Sequence, residues 1–125
     1  MLSKKQISGE IMEFNSKALA QNYYTCMAEK NLEEVKKYLS PNVEFFGPLS
    51  TLKGKEAVSE SIAFFMKTFK SLEIRAILSE NNQAIVVYDV KFPGMKVPSV
   101  AWLHFQNGLI TRIQLFFDAS AFRQK

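Results

Sequence analysis

The sequence is poor in the residues that build metal centres and disulfide frameworks: it holds one cysteine, Cys26, and one histidine, His104, in 125 residues. A lone cysteine closes no internal disulfide, and one thiol with one imidazole falls short of the three or four ligands of a zinc site. No metal and no cofactor is therefore expected. Sparse cysteine also fits a reducing compartment, so the cytoplasm is the expected location. Guanidinium groups are equally few, at Arg75, Arg112 and Arg123, while thirteen lysines are scattered from Lys4 to Lys125. The net charge of +4 then reads as a solvated surface, and no nucleic-acid partner is expected, because such a footprint clusters its cations on one face. Long apolar runs are missing too. No stretch approaches the roughly 18 apolar residues of a transmembrane helix, and the start MLSKKQISGE lacks the apolar core of a signal peptide. No membrane partner is expected. With no G-x-S-x-G elbow, no phosphate-binding glycine loop and no paired carboxylates in a motif, hydrolase, kinase and nucleotide chemistry lack support.

What is abundant is aromatic: 11 Phe, 4 Tyr and 1 Trp make 13% of the chain, more than a core of this size needs and enough to line a pocket or an interface as well. At 125 residues the chain has the length of a single domain, 1–125, and can bury a core without staples.

From Asn15 to Lys30 the apolar residues Leu19, Tyr23, Cys26 and Met27 recur at helical spacing, which predicts a first helix. Ile7, Ile11 and Phe14 continue the phase backwards through 4–14, although Gly9 weakens that extension. Asn31 followed by Glu34 has capping-box spacing, and Leu32, Val35, Tyr38 and Leu39 predict a short second helix stopped by Pro41. Val43 to Phe46 reads as a strand. After the LKGK turn, Val58, Ile62, Phe65 and Phe69 predict a third helix. Beyond Ser71 the period changes to two: 72–78, 86–92, 99–105 and 109–118 alternate as strands, and Asn107-Gly108 is a hairpin turn signal. Leu109, Ile113, Leu115 and Phe117 are expected on one face. Helices followed by long strands predict an α+β fold, three N-terminal helices packed on a mainly antiparallel sheet. Twist curls so long a sheet, and the expected product is a cone with an apolar interior open at one end.

That order resembles the nuclear transport factor 2-like superfamily, in particular its SnoaL-like polyketide cyclase and ketosteroid isomerase branches. The likeness is carried by NYYTCMAEKNLEEVKKYLSPNVEF, LKGKEAVSESIAFF, HFQNGLITRI and LFFDASAF, in this order over nearly the whole chain. It implies a cystatin-like cone with a strongly curved sheet. Ketosteroid isomerases use an aspartate base and an oxyanion hole of a tyrosine and a protonated aspartate. By the resemblance the tyrosine falls on Tyr23, but the base position falls on Phe45 or Phe46 and the second aspartate near Val100 or Ala101, so steroid-type isomerisation is not expected.

Three candidate catalytic residues remain, each with a structural alternative. Asp118 stands where SnoaL-like cyclases carry an acid/base aspartate, and a carboxylate in an apolar mouth would have its pKa raised towards neutrality; followed by ASAF, it can equally cap a helical turn. His104 precedes it by fourteen residues, as a substrate-binding histidine does in the cyclase branch. A two-residue Asn107-Gly108 turn pairs His104 with Thr111 and puts it, with Trp102, on the face of Ile113 and Leu115, whereas a three-residue loop sends it outward. Tyr23 is either a pocket donor or a core tyrosine with a backbone partner. Phe46, Phe65, Phe69, Trp102, Leu115 and Phe117 are the expected substrate-binding lining. The functional expectation is a small apolar ligand held in the cone, with acid/base isomerisation or cyclisation as its chemistry, or else a domain that only binds or scaffolds. Phe116, Val87 and Ile85 on the opposite sheet face predict a homodimer.

Overall fold

The computed structural model describes residues 15–122; the proposed extension of the first helix through 4–14 lies outside them. Helix α1 spans Ser16–Ala28, started by Asn15, whose side chain accepts the Ala18 N–H at 3.0 Å. Ala20, Tyr23, Tyr24 and Met27 form its buried stripe, the helical period read from the sequence. Helix α2, Leu32–Lys36, is capped in the same way by Asn31. It is shorter than expected. Leu39 belongs to strand β1, Leu39–Phe46, because Pro41 biases the residue before it towards extended backbone and Leu39 reaches the core only from a strand.

The four-residue loop 47–50 leads into a short strand β2, Thr51–Lys53, which pairs antiparallel with β1 from Phe46↔Thr51 to Glu44↔Lys53. Three residues are too few to show alternation, so this strand was not legible in the sequence. Helix α3 covers Lys55–Met66. It ends before Phe69 because Thr68 Oγ1 donates to the Phe65 carbonyl at 2.7 Å and closes the last turn.

The long strands are β3 (Ser71–Glu80), β4 (Gln83–Phe92), β5 (Met95–Gln106) and β6 (Leu109–Phe117). The six-stranded sheet runs β2-β1-β6-β5-β4-β3, antiparallel throughout except for the parallel β1–β6 pair. Asn81-Asn82 and Asn107-Gly108 turn two of its hairpins with positive φ at both central residues, the geometry whose twist matches the flanking strands. Register shifts interrupt the β1–β6, β3–β4 and β5–β6 ladders, and such bulges bend a sheet. The result is the expected curved α+β cone, with α1 and α3 across its concave face. Ala84, Val86, Ala101, Leu103 and Ile110 fill the sheet side of the core.

The β5–β6 register corrects one expectation. The turn has two residues, with Gln106 opposite Leu109 and Phe105 opposite Ile110, but His104 then faces Arg112 rather than Thr111. Thr111 is the extra residue of a bulge, and its hydroxyl donates to the His104 carbonyl at 3.2 Å. The shift brings both Ile110 and Ile113 inward and leaves Leu109 off the face of Ile113, Leu115 and Phe117.

Candidate functional site

The concave face encloses a cavity of about 450 Å³. Helix α1 supplies Tyr23, Tyr24 and Met27, α3 supplies Ile62 and Phe65, and β4 supplies Tyr88, Val90 and Phe92. Val97 and Ser99 of β5 join Ile113, Leu115 and Phe117 of β6, and loop 47–50 with Phe45 closes one side. Alternation explains the selection: Tyr88, Val90 and Phe92 are successive inward residues of β4. Gly47 makes room for its neighbour, since a Cβ there would meet the Phe45 ring at 3.0 Å.

Three tyrosines form the polar end of this space. The Tyr23 ring meets Tyr24 edge-on at 4.9 Å, and Tyr24 packs on Tyr88 at 4.7 Å. Burial pushes all three hydroxyls up, because taking a phenolate out of water is costly. Tyr88 is pushed to about 12, its hydrogen bond with Tyr24 acting against the effect of burial. For Tyr23 burial acts first and the neighbouring Tyr88 second, both raising it well above the ordinary phenol range. These groups stay protonated at neutral pH and offer O–H donors. The nearby hydroxyls of Ser99 and Thr68 donate to their own backbone, at Val97 and Phe65. Among the described residues nothing else ionisable lines the cavity: no Asp, Glu, His, Lys, Arg or Cys is among its lining residues.

The structure brings together Tyr23, Phe65, Leu115 and Phe117 of the residues expected from sequence. The others lie elsewhere. Phe69 is buried in the core, its ring centroid 4.7 Å from that of Phe65 and 4.5 Å from the Lys30 ammonium. Phe46 alternates with Phe45 and points away from the cavity, with the Arg112 guanidinium 4.8 Å from its ring centroid. Trp102 and His104 alternate with the buried Ala101, Leu103 and Phe105, and so stand on the convex face; their rings pack at 4.9 Å. Trp102 Nε1 donates to Gln83 Oε1 at 2.8 Å. Partial burial, and then Arg112, lower the His104 pKa. Asp118 is exposed at the end of β6, and its Oδ1 accepts the Ser120 N–H at 3.0 Å, which starts the 3-10 turn Ala119–Phe122. That contact is the capping geometry. Asp118, His104 and Tyr23 therefore do not converge on one cavity. Among the described residues no group of three or more His, Cys, Asp or Glu is placed to hold a metal ion, and no helix is long and apolar enough to cross a membrane.

Tyr24, Tyr88 and Phe45 are among the lining residues that sequence reasoning passed over. Tyr88 and Phe45 carried a signal in period two, from Val86 and Val90 on one strand and Val43 on the other.

Residues 20–113 match the SnoaL-like domain family. No curated protein matches the sequence significantly. Solved structures do match in fold. An NTF2-like protein of unknown function from Cytophaga hutchinsonii superposes with a TM-score of 0.79 at 22% identity, covering 91% of this chain and 99% of that one. A steroid delta-isomerase from Pseudomonas aeruginosa gives 0.74 at 15% identity over 86% and 82% of the two chains. A bacterial protein with a cystatin-like fold from Silicibacter pomeroyi gives 0.75 at 16% identity over 82% and 74%. At these identities the likeness is one of fold.

Proposed function

Because the chain belongs to the SnoaL-like family, whose fold hosts both catalysts and binders, we propose that it is a binding domain for a small, uncharged, apolar molecule held in the cone. The observation that carries this reading is the lining itself. An enclosed apolar space with a few O–H donors at one end is the usual form of a small-molecule site. A charged ligand would lose its hydration there without gaining a counter-ion. Proton transfer at an enolisable carbon calls for a group that titrates near neutral pH, and the described lining residues supply only phenols pushed upward. Tyr23 serves as a donor to a carbonyl or ether oxygen of the ligand. Isomerase or cyclase activity through Asp118 would require its carboxylate to leave the Ser120 cap and turn inward.

The domain acts as a homodimer in the cytoplasm on this reading. Support for a second copy is the convex stripe formed across three strands by Leu78, Ile85 and Trp102, flanked by Val87, Val100 and Phe116, since apolar sheet faces of this kind find partners. Light scattering behind gel filtration checks it: a mass near 14.3 kDa at micromolar concentration refutes the dimer.

Thermal shift with steroid and aromatic ketones, each beside its carboxylate counterpart, tests the ligand class. A ketone at about 100 times its Kd stabilises by about 2.7 kcal/mol and raises Tm by on the order of 10 °C, while the carboxylates leave it unchanged. Equal shifts for acids and ketones, or loss of no affinity in Tyr23→Phe, would refute the reading.

A further inference from the structure

The exposed large apolar side chains fall into two sets. Leu78, Ile85 and Phe116 lie on the convex stripe, whereas Leu49, Phe64 and Phe122 are 56%, 71% and 39% exposed and also line the cavity. A side chain that is both exposed and lining stands on the rim. Three such residues come from three separate elements: loop 47–50, the last turn of α3, and the 3-10 turn after β6. Phe122 is seated there by edge-on contacts with Phe92 and Phe117, at 5.4 and 5.5 Å.

The chain beside this mouth carries more positive than negative charge: residues 45–50, 61–70 and 117–122 contain Lys67 and Lys70 against a single carboxylate, Asp118. Both lysines are exposed and neither has an ion pair among the described residues. Lys91 and Lys96 are close by along the backbone, the Lys70 N–H donating to the Lys91 carbonyl at 2.6 Å, but they stand opposite each other on the outward face with Asp89, whose Oδ2 is 4.0 Å from Lys96 Nζ.

We propose that the cavity mouth docks on an anionic lipid bilayer, with Leu49, Phe64 and Phe122 inserted among the acyl chains and Lys67 and Lys70 at the headgroups. Apolar prongs flanked by cations are the signature of peripheral attachment, each lysine near an anionic surface contributing about 1 kcal/mol. A bilayer fits better than a protein surface because the prongs surround an opening into an uncharged apolar cavity. A molecule suited to that interior partitions into hydrocarbon, and a docked mouth lets it enter without crossing water. This docking needs no spanning helix. It departs from the expectation of no membrane partner, which came from hydropathy, and hydropathy detects long runs rather than prongs on separate elements. The inference rests on the binding reading above for the purpose of docking, and not for the contact itself.

Flotation of the full chain with vesicles of phosphatidylcholine containing about a third phosphatidylserine tests it. Binding is expected, and is expected to fall at least about ten-fold on phosphatidylcholine alone or in high salt. Lys67→Glu with Lys70→Glu should weaken it about thirty-fold or more, from about 1 kcal/mol per lysine lost. Leu49→Ser with Phe64→Ser should abolish it with every charge in place. Lys17→Glu with Lys36→Glu makes the same change in net charge outside the mouth segments and should leave it within about two-fold. No vesicle binding overturns the proposal, and so does an equal loss in the Lys17/Lys36 control. A Leu49/Phe64 variant that alters the mass in light scattering but not flotation also overturns it, assigning the rim to a contact between copies. A ketone that binds in vesicle-free buffer while flotation fails removes the docking alone; flotation without any ketone binding removes the cavity reading alone.

Discussion

Val86, Tyr88 and Val90 of β4 face the cone, while Ile85, Val87 and Asp89, each one residue away, face outward. The two sides differ in chemistry as well as direction. Inside, among the described residues, the polar side chains of the cavity lining are hydroxyls and none is charged. Outside, apolar residues are interleaved with Arg112, His104 and Glu44 in register across β1, β5 and β6, and Asp89 is nearly buried with Arg75 Nη1 3.5 Å from its Oδ2. Its Oδ1 has no hydrogen-bond partner among the described residues. One backbone thus carries a dry interior suited to a neutral ligand and a mixed exterior suited to a partner surface. The difference teaches that register, more than composition, decides which residues of this sheet have access to the cavity.

The largest expected effect comes from moving that register. Deleting Thr111 removes the bulge and leaves Phe105↔Ile110, His104↔Arg112 and Leu103↔Ile113 as a continuous ladder, so the fold should survive at a cost on the order of 1–2 kcal/mol. Deleting Gln114 instead turns Leu115 and Phe117 out of the cavity and should abolish cooperative unfolding. Circular dichroism melts of the two deletions compare them directly; equal damage would mean that the bulge is not what sets the faces.

Next comes burial. Leu103 is fully buried on the inner face, and Leu103→Ala should cost about 2–5 kcal/mol. Leu78 is 62% exposed on the outer face, and Leu78→Ala should stay within about 0.5 kcal/mol in a monomer. Urea denaturation measures both. A concentration-dependent cost at Leu78 would sharpen the contrast by showing that a second copy covers the convex stripe.

How far the sequence revealed this arrangement depends on the length over which a period persists. Helix α1 and strands β3 to β6 hold their periods over several repeats and were legible, as were the cap at Asn31 and the Asn107-Gly108 turn. The inward positions Tyr23, Phe65, Leu115 and Phe117 followed from the same periods. His104 and Trp102 did not, because a single bulge residue changes the phase of β6 against β5 and no local pattern announces it. Phe46 and Phe69 were each displaced by one local event: the choice between adjacent phenylalanines in β1, and the stop of α3 at Met66.

At Asp118 the expected effect is smaller and separates two roles. If the carboxylate acts through the Ser120 cap, Asp118→Asn should be nearly neutral and Asp118→Ala should lose about 1 kcal/mol, as at other capping positions. Ligand affinity should be equal in all three proteins. A loss of binding or turnover in Asp118→Asn, with stability intact, would return this residue to the site.

The smallest effect is at the convex face and has a definite sign. His104 is the sole histidine of the chain, and burial together with Arg112 holds its folded-state pKa below the ordinary value of 6.5. Arg112 stands opposite on β6 and the uncharged Gln83 opposite on β4, while Trp102 packs against the ring. The nearest carboxylate in the ladder is Glu44, across Arg112 on β1, and its Oε2 is 3.6 Å from Lys53 Nζ. With the folded pKa depressed, the unfolded chain binds the proton first as pH falls, so it is the unfolded state that gains. Stability is therefore constant above the unfolded pKa, declines as pH drops through 6.5, and levels off once the folded imidazole is protonated as well. Carboxylates titrate about two units lower and add their own slope there, which makes the difference between wild type and His104→Gln the informative quantity. Urea melts of both proteins between about pH 5 and 8 should show a decline on the acid side in the wild type and a flatter profile in the variant. A wild-type profile that rises towards acid would mean that an anion pairs with His104 in the folded protein, and would move the search for that partner to whatever covers the convex face.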